Sequence, residues 1–239
     1  MSTIAIITAA GKGVRIGTTV AKQFLPVLGK PLLWHTIKVF ESCPGIDNII
    51  LVIPPDMVKT GRELFQAKGE FKKLWKVVAG GETRQQSVSN GLRAIPEKYK
   101  IVVVHDGVRP LVNEDTIKEA IELAEEKGAA IAAIPANDTL KQVSADGCIV
   151  RTIERSLIWQ AQTPQAFRVE LLRKAFTEAQ KDKFYGTDEA SLVERLEAPV
   201  YIIKGASTNI KVTTPADLRL VEILLRDRYG DSTEGRFWL

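Results

Sequence analysis

The stretch AIITAAGKGVRIG, residues 5–17, places an apolar, β-branched segment directly before a glycine-rich loop. Its first part is typical of a buried strand. Gly11, Gly13 and Gly17 then allow the backbone amides of the loop to approach a bound anion closely. Several classes of nucleotide-binding α/β protein begin in this way. The stretch therefore predicts a first strand that ends in a phosphate-binding loop.

Further apolar runs with strand character follow along the chain, and helical patterns separate most of them. The predicted strands after the first are 48–53, 76–80, 100–106, 129–135 and 199–205, and the predicted helices are 31–43, 83–95, 113–128, 169–181, 187–196 and 213–230. Asn113 and Thr214 are expected to cap two of these helices, Pro215 to occupy a first helical position, and Gly128 to end a helix. The alternation predicts an α/β fold: a three-layer, Rossmann-like, mostly parallel sheet with ligands at the carboxyl ends of its strands.

Residues 136–160 interrupt this alternation. Two short β-like runs flank SADG (144–147), in which Asp146-Gly147 is a hairpin signal. A hairpin has no obvious partner within a parallel sheet, so we expect a projecting β-arm, with an ordinary edge hairpin as the alternative. The predicted organisation is one domain over 1–230 that contains this arm, followed by a loose tail, 231–239, that lacks periodicity.

The bulk composition is that of a globular protein. The chain has 239 residues, 45% hydrophobic and 26% charged, enough to bury a substantial core. The net charge is +4, the isoelectric point is about 9.0, and no run of five basic residues occurs. These values argue against a nucleic-acid partner. They favour small anionic substrates, although a merely soluble surface explains them equally well.

The cysteines and the apolar runs bear on cellular location. Cys43 and Cys148 lie far apart without a nearby histidine, which argues against a disulfide framework and a zinc site. Residue 1 is not followed by a charged segment and an apolar leader, and no apolar run reaches the roughly 18 residues of a membrane span. We therefore expect a cytoplasmic protein without a membrane partner.

The spacing in the glycine-rich loop excludes two common nucleotide sites. A dinucleotide fingerprint needs G-x-G-x-x-G and an acidic residue after the second strand, but the spacing here is G-x-G-x-x-x-G and Pro54-Pro55 follows that strand. A P-loop needs a Gly-Lys-Ser/Thr sequence that is absent. What remains is a loop flanked by Lys12, Arg15 and Lys22. Such cations stabilise the charge that develops during transfer at the α-phosphate of a nucleoside triphosphate. An ordinary surface loop stays the alternative.

Beyond single motifs, much of the chain is similar to one enzyme family. Residues 9–17 and 21–37 resemble the opening signature of sugar-nucleotide-type nucleotidyltransferases. The chain as a whole resembles the 2-C-methyl-D-erythritol 4-phosphate cytidylyltransferase family of the non-mevalonate isoprenoid pathway. The motifs that carry this resemblance are GGETRQQSV (80–88), VHDGVRP (104–110), NDTLK (137–141), ERSLIWQAQTPQAF (154–167), TDEASLV (187–193) and NIKVTTPADL (209–218).

The resemblance implies a nucleotide-diphospho-sugar transferase type of fold and a specific reaction. CMP passes from CTP to 2-C-methyl-D-erythritol 4-phosphate by direct attack on the α-phosphate, which gives 4-diphosphocytidyl-2-C-methyl-D-erythritol and pyrophosphate. It further implies Mg2+ held mainly by the CTP phosphates and a homodimer formed through the β-arm. The Asp106 carboxylate, expected at the carboxyl edge of the sheet, can face a metal-bound phosphate or a substrate hydroxyl. A ribitol 5-phosphate cytidylyltransferase and a non-catalytic nucleotide-binding module stay open as alternatives.

The resemblance also assigns roles to individual residues. Arg15 and Lys22 are expected to stabilise the transition state, and Arg155 is expected to act in the site of the other subunit. The family often has Asp where Glu82 stands. His35 and His105 are expected to be packed side chains without a role in catalysis. The expected nucleotide-binding residues are Ala10, Gly11, Lys12, Gly13, Gly81, Glu82 and Ser87, and the expected substrate-binding residues are Asp106, Arg109, Thr139, Arg155, Thr163, Thr187 and Lys211.

Overall fold

The computed structural model describes residues 1–11, 21–67 and 69–230. Three predicted loop residues, Lys12, Gly13 and Arg15, lie outside the described residues, and so does the predicted tail 231–239. The structural statements that follow concern the described part of the chain.

A seven-stranded sheet forms the centre of the fold, in the order β11-β7-β10-β6-β1-β4-β5. Neighbouring strands are parallel except β10, which runs antiparallel to both β6 and β7. The central strands are almost continuously apolar because helices cover both of their faces. The strands are β1 (Thr3–Thr8), β2 (Pro26–Val27), β3 (Lys30–Pro31), β4 (Asn48–Ile53), β5 (Leu74–Ala79), β6 (Ile101–Asp106), β7 (Ala129–Pro135), β8 (Lys141–Val143), β9 (Ile149–Thr152), β10 (Trp159–Arg168) and β11 (Tyr201–Lys204).

Two helices begin at the capping residues that the sequence predicts. The Asn113 side chain accepts a hydrogen bond from the Thr116 amide, and Gly128 ends the same helix with a φ of 99°. Thr214 and Asp217 form a capping box at the start of the last helix, whose first residue is Pro215. The helices are α1 (Leu32–Ser42), α2 (Val58–Gly61), α3 (Arg84–Arg93), α4 (Glu114–Lys127), α5 (Val169–Lys181), α6 (Glu189–Glu194) and α7 (Pro215–Tyr229).

Two apolar layers sandwich the sheet. Leu33 and Phe40 of α1 pack with Ile117 of α4 against one face of the sheet. On the other face, Leu92 of α3 packs with Leu172 of α5. A smaller cluster lies between α7 and the loops at the carboxyl edge of the sheet. The predicted three-layer α/β architecture is therefore confirmed.

Strand β10 is the main element that the hydrophobic pattern missed. Half of its sequence, WQAQTPQAFR, is polar, and it contains Pro164, so neither strand propensity nor sustained alternation marks it. The register with β7 shifts between Ala161 and Gln165, and Pro164 lies within this irregularity. Proline is tolerated in a central strand at such a bulge because no ladder hydrogen bond is needed there.

The predicted hairpin is present and lies outside the main sheet. Strands β8 and β9 form a separate two-stranded antiparallel sheet, and every residue in both strands is exposed. Its turn is closed by a 3.0 Å hydrogen bond from the Gly147 amide to the Ser144 carbonyl, and Gly147 has a φ of 86°. Segment 136–160 therefore carries an exposed hairpin, as the SADG signal predicts.

Among residues 1–11, 21–67 and 69–230, no helix is both long and apolar enough to cross a membrane.

Candidate active site

A cavity of about 380 Å3 opens at the carboxyl edge of the sheet, next to the ends of β1 and β6. Loops that follow strands form most of its wall, which is where ligands bind in open α/β sheets. The structure brings together eight of the residues predicted for the site. These are Ala10, Gly11, Lys22, Gly81, Glu82, Ser87, Asp106 and Lys211.

The predicted nucleotide side of the cavity consists of two loops in close contact. A Cβ atom on Gly80 would lie 2.2 Å from the Cβ of Ala10, so only glycine allows this approach. The Gly81 amide donates to Ser87 Oγ at 3.1 Å, and this hydroxyl donates to the Thr83 carbonyl at 2.9 Å. The loop between β5 and α3 is thereby held in a fixed shape beside the end of β1.

Lys22 and Gln23 follow the glycine-rich loop in sequence, and their side chains donate hydrogen bonds to backbone carbonyls. Lys22 begins a short 3-10 helix, and its Nζ donates to the Val212 carbonyl at 2.8 Å. The buried Gln23 side chain donates to the carbonyls of Ala9 at 2.7 Å and Gly11 at 3.1 Å. Gln23 thus fixes the start of the loop, a role that the sequence analysis did not assign.

Asp106 lies at the end of β6, on the floor of the cavity, and is only 5% exposed. Its Oδ2 atom is 3.0 Å from Lys211 Nζ and 3.1 Å from Arg109 Nε. Its Oδ1 atom is 3.4 Å from Arg84 Nε, and its amide donates to Thr163 Oγ1 at 3.1 Å. One carboxylate is therefore surrounded by three cationic side chains.

These cations determine the charge of the cluster. Burial alone would raise the pKa of Asp106, but attraction to Lys211, then to Arg84 and Arg109, outweighs it. The pKa of Asp106 is held well below its usual range, so the carboxylate is ionised at neutral pH. Three cations around one anion leave an excess of positive charge, which suits phosphate groups.

The sequence analysis did not identify Arg84 or Glu189. Arg84 lines the cavity, and its Nη1 is 2.6 Å from Oε1 of Glu189, which is 1% exposed. Burial works to lower the pKa of Arg84, but attraction to Glu189 and Asp106 outweighs it and raises that pKa. Both residues belong to quoted motifs, GGETRQQSV and TDEASLV, which were the available signal.

Five residues that were predicted to bind the substrate are not part of the cavity wall formed by the described residues. Arg109 pairs with the Asp106 carboxylate, and the buried Thr163 hydroxyl accepts a hydrogen bond from the Asp106 amide. Thr187 is exposed just before α6. Thr139 and Arg155 are exposed at the base of the hairpin. The contacts of Thr139, Arg155 and Thr187 with a substrate therefore stay predictions that rest on the family resemblance.

Both histidines are packed side chains, as predicted. The Nε2 atom of His105 donates to the Arg109 carbonyl at 3.1 Å, and its ring centroid is 4.9 Å from that of Phe40. Burial lowers the pKa of His105 to about 4, which keeps the ring neutral. His35 donates from Nε2 to the Val27 carbonyl at 2.9 Å, and burial lowers its pKa as well.

The described cavity wall is compatible with Mg2+ bound mainly by a substrate. It contains two carboxylates, those of Asp106 and Glu82. No group of three or more His, Cys, Asp or Glu side chains suited to a metal occurs among the described residues. Mg2+ commonly binds one or two carboxylates together with substrate phosphates and water, and this donor set fits that pattern.

Sequence comparison gives consistent relatives over almost the full chain. The family model for 2-C-methyl-D-erythritol 4-phosphate cytidylyltransferase (IspD) matches residues 3–227. A protein of that name from Syntrophus aciditrophicus is 46% identical over 227 residues, which cover 95% of this chain and 97% of the relative. Another from Geobacter metallireducens is 45% identical and covers 95% and 99% of the two chains.

Solved structures agree with the sequence relatives. A crystal structure of 4-diphosphocytidyl-2C-methyl-D-erythritol synthase from Anaerococcus prevotii matches with a TM-score of 0.83 at 30% identity, covering 94% of this chain and 98% of the other. The crystal structure of 2-C-methyl-D-erythritol 4-phosphate cytidylyltransferase from Thermus thermophilus matches with a TM-score of 0.76 at 33% identity and covers 95% and 100% of the two chains.

Proposed function

The chain belongs to the 2-C-methyl-D-erythritol 4-phosphate cytidylyltransferase family, and we propose that it transfers CMP from CTP to 2-C-methyl-D-erythritol 4-phosphate. The products are 4-diphosphocytidyl-2-C-methyl-D-erythritol and pyrophosphate. The observation that carries this proposal is the cavity at the carboxyl edge of the sheet. Lys22, Lys211 and Arg84 line this cavity together with Gly81 and Ser87.

The reaction is a direct displacement at phosphorus. A phosphate oxygen of the polyol phosphate forms a bond to the α-phosphorus of CTP, and the bond from that phosphorus to the β-phosphate oxygen breaks. The attacking phosphate is already ionised at neutral pH, so no general base is needed. This agrees with the packed, neutral state of His105 and with an Asp106 carboxylate engaged by three cations.

The residues of the cavity bind and orient the two anionic substrates. Lys22 stabilises the charge that builds up on the α-phosphate oxygens, and the backbone of Gly11 supports the triphosphate. The residues that contact the cytosine and ribose are Ala10, Gly81, Glu82 and Ser87. Lys211 binds the phosphate of the polyol. We further propose that Arg15 and Lys12, which lie outside the described residues, complete the charge on the triphosphate side.

We also propose that Mg2+ accompanies CTP. Phosphate oxygens and water would supply most of its ligands, and Asp106 and Glu82 are the described carboxylates that line the cavity beside it. When bound, Mg2+ neutralises part of the triphosphate charge and makes pyrophosphate a better leaving group.

The exposed hairpin supports a further proposal about assembly. Val143, Ile149, Val150 and Leu157 in this region are each more than half exposed, which is unusual for large apolar side chains in a monomer. We propose that 1–230 is one catalytic domain, and that its arm, 136–160, packs on a second copy of the chain. Arg155 then completes the site of the partner.

Subunit complementation tests this assembly. Arg155→Ala and Lys22→Ala chains, each nearly inactive, are mixed by denaturation and refolding. With a shared site, half of the dimers are mixed and each has one intact site of two, so about a quarter of the wild-type activity returns. If Arg155 serves its own chain, no site is complete, and a mixture with proven heterodimers stays inactive.

The activity itself is tested by pyrophosphate release. With 2-C-methyl-D-erythritol 4-phosphate as acceptor, we expect turnover with CTP and at most a few per cent of that rate with UTP, ATP or GTP. The Lys22→Ala variant is the control for adventitious hydrolysis. Absence of turnover with CTP, when the wild-type chain is folded, would contradict the proposal and leave a non-catalytic nucleotide-binding protein.

A further inference from the structure

The N-termini of two helices meet behind the cavity through a short ion pair. Arg84 is the first residue of α3 and Glu189 is the first residue of α6. The distance from Arg84 Nη1 to Glu189 Oε1 is 2.6 Å, whereas Arg84 Nε lies 3.4 Å from Asp106 Oδ1. Since a short charge-assisted hydrogen bond is much stronger than a long one, Glu189 is the main partner of Arg84.

The burial of the Glu189 carboxylate is energetically unfavourable, which favours a role for this residue in the active site. Its side chain is almost fully buried, burial raises its pKa, and no described residue donates a hydrogen bond to Oε2. An incompletely paired buried carboxylate contributes little to stability, and apolar replacements of buried ion pairs are often neutral or stabilising. Stability alone therefore gives no reason for a carboxylate at this position.

The attachment of α6 to α3 does not depend on this carboxylate. Gln85 donates from Nε2 to the Phe184 carbonyl at 3.1 Å, and its Oε1 accepts from the Gly186 amide at 3.0 Å. The segment that leads into α6 is thus fixed to α3 by a neutral side chain. Loss of the Glu189 charge leaves these two hydrogen bonds intact.

We propose that Glu189 is a positioning residue that acts through Arg84 on the charge cluster around Asp106. Glu189 holds the Arg84 guanidinium away from full contact with Asp106. Without that charge, the guanidinium would turn toward Asp106, which it can bind with two parallel hydrogen bonds. It would then compete with Lys211 for the same carboxylate and move a cation that lines the cavity. This inference rests on the proposed function, in which Lys211 binds the polyol phosphate.

A double-mutant cycle tests the inference. The variants are Glu189→Gln, which keeps the size and one acceptor atom, Arg84→Met, and the two together. We expect each single change to lower kcat/KM for the polyol phosphate by about 10-fold or more, as for loss of a charged hydrogen bond. In the double variant, Glu189→Gln is expected to add less than about threefold to the loss from Arg84→Met, because the two residues act as a unit.

The outcomes separate positioning from a purely structural role. The proposal would be overturned if the losses in kcat/KM from Glu189→Gln and Arg84→Met multiplied in the double variant. It would also be overturned if kcat/KM of Glu189→Gln lay within twofold of wild type. A lower melting temperature with unchanged kcat and KM would do the same. Glu194→Gln, an exposed carboxylate on the same helix, is the matched control and should have no effect on kinetics. If Glu189→Gln does not fold, Glu189→Asp takes its place in the cycle, because the shorter side chain withdraws the carboxylate from its 2.6 Å contact with Arg84.

The same cycle is repeated without turnover by calorimetric titration with 2-C-methyl-D-erythritol 4-phosphate alone. Glu189→Gln should weaken binding of this polyol phosphate about fivefold or more in the wild-type background and by less than twofold in the Arg84→Met background. Wild-type protein that binds the polyol phosphate but releases no pyrophosphate from CTP would refute the proposed function. Equal weakening in both backgrounds would refute the role of Glu189 instead.

Discussion

Replacing Asp106 with Asn removes the negative charge that Arg84, Arg109 and Lys211 share, and we expect a large loss of stability. The Asp106–Arg109 pair is the most buried, with side chains 8% and 11% exposed. Breaking such a pair from one side costs about 3–5 kcal/mol, and Asn retains one acceptor, so about 3 kcal/mol is expected. The contacts with Arg84 and Lys211, whose side chains are 30% and 40% exposed, add less than about 1 kcal/mol each.

The assay is thermal unfolding at neutral pH, where the Asp106 carboxylate is ionised. For a chain of this length, about 3 kcal/mol lowers Tm by about 6–12 °C. Asp115→Asn is the matched control, since that side chain is 93% exposed and should change Tm by no more than about 2 °C. An Asp106→Asn variant that unfolds within 2 °C of wild type would refute the view that this carboxylate holds the three cations together.

The sign of the pH dependence follows from the same cluster. The pKa of Asp106 is depressed in the folded state, so its contribution to stability is present above the unfolded pKa of about 4. That contribution is lost as pH falls toward the folded pKa. The stability gap between wild type and Asp106→Asn should therefore be constant above about pH 5 and narrow below about pH 4.

Three further changes have defined outcomes. Burial lowers the pKa of His105 to about 4, so its contribution to the free energy of unfolding decreases as pH falls below the ordinary value of 6.5. In thermal unfolding measured at several pH values, the Tm difference between wild type and His105→Gln should narrow from pH 7 to pH 5. A constant difference would contradict this. Gly91→Ala would place a Cβ 2.9 Å from Ile6 Cγ2 and should lower Tm by several degrees. Ser89→Ala on the same helix is the control and should leave Tm unchanged. If the two variants melted at the same temperature, the close packing of Gly91 against Ile6 would be refuted. EDTA should abolish pyrophosphate release and excess Mg2+ should restore it, while turnover after exhaustive chelation would remove the metal from the mechanism.

The elements that the sequence predicts well are those specified by local chemistry. Apolar strands such as 48–53 keep their bounds, and α4 ends at Gly128 as predicted. Strand β10 could not be found in this way because long-range contacts satisfy its polar side chains. Gln162 donates to the Ala206 carbonyl at 3.0 Å, and Gln165 donates to Asp188 Oδ2 at 2.8 Å. A hydrophobic pattern does not indicate which distant residues will form hydrogen bonds with a polar side chain.

In the candidate site too, some residues can be predicted from local sequence, whereas others depend on long-range contacts. Asp106 is predictable because it follows an apolar strand, at the edge where α/β sheets bind ligands. The pairing of Arg84 with Glu189 joins residues 105 positions apart, and no local spacing signals it. The roles of Arg155 and Thr139 come from family resemblance alone, since both lie away from the cavity of their own chain.

The most direct measurement of the proposed activity compares two acceptors with CTP under the same conditions. Product formation is followed by 31P NMR, in which a new diphosphate diester gives two coupled signals. We predict that 2-C-methyl-D-erythritol 4-phosphate is converted to its CDP derivative with one pyrophosphate released per product, and that ribitol 5-phosphate reacts at least 100-fold more slowly in kcat/KM. Preferential conversion of ribitol 5-phosphate would contradict the assigned substrate, and no diester from either acceptor would contradict cytidylyl transfer itself.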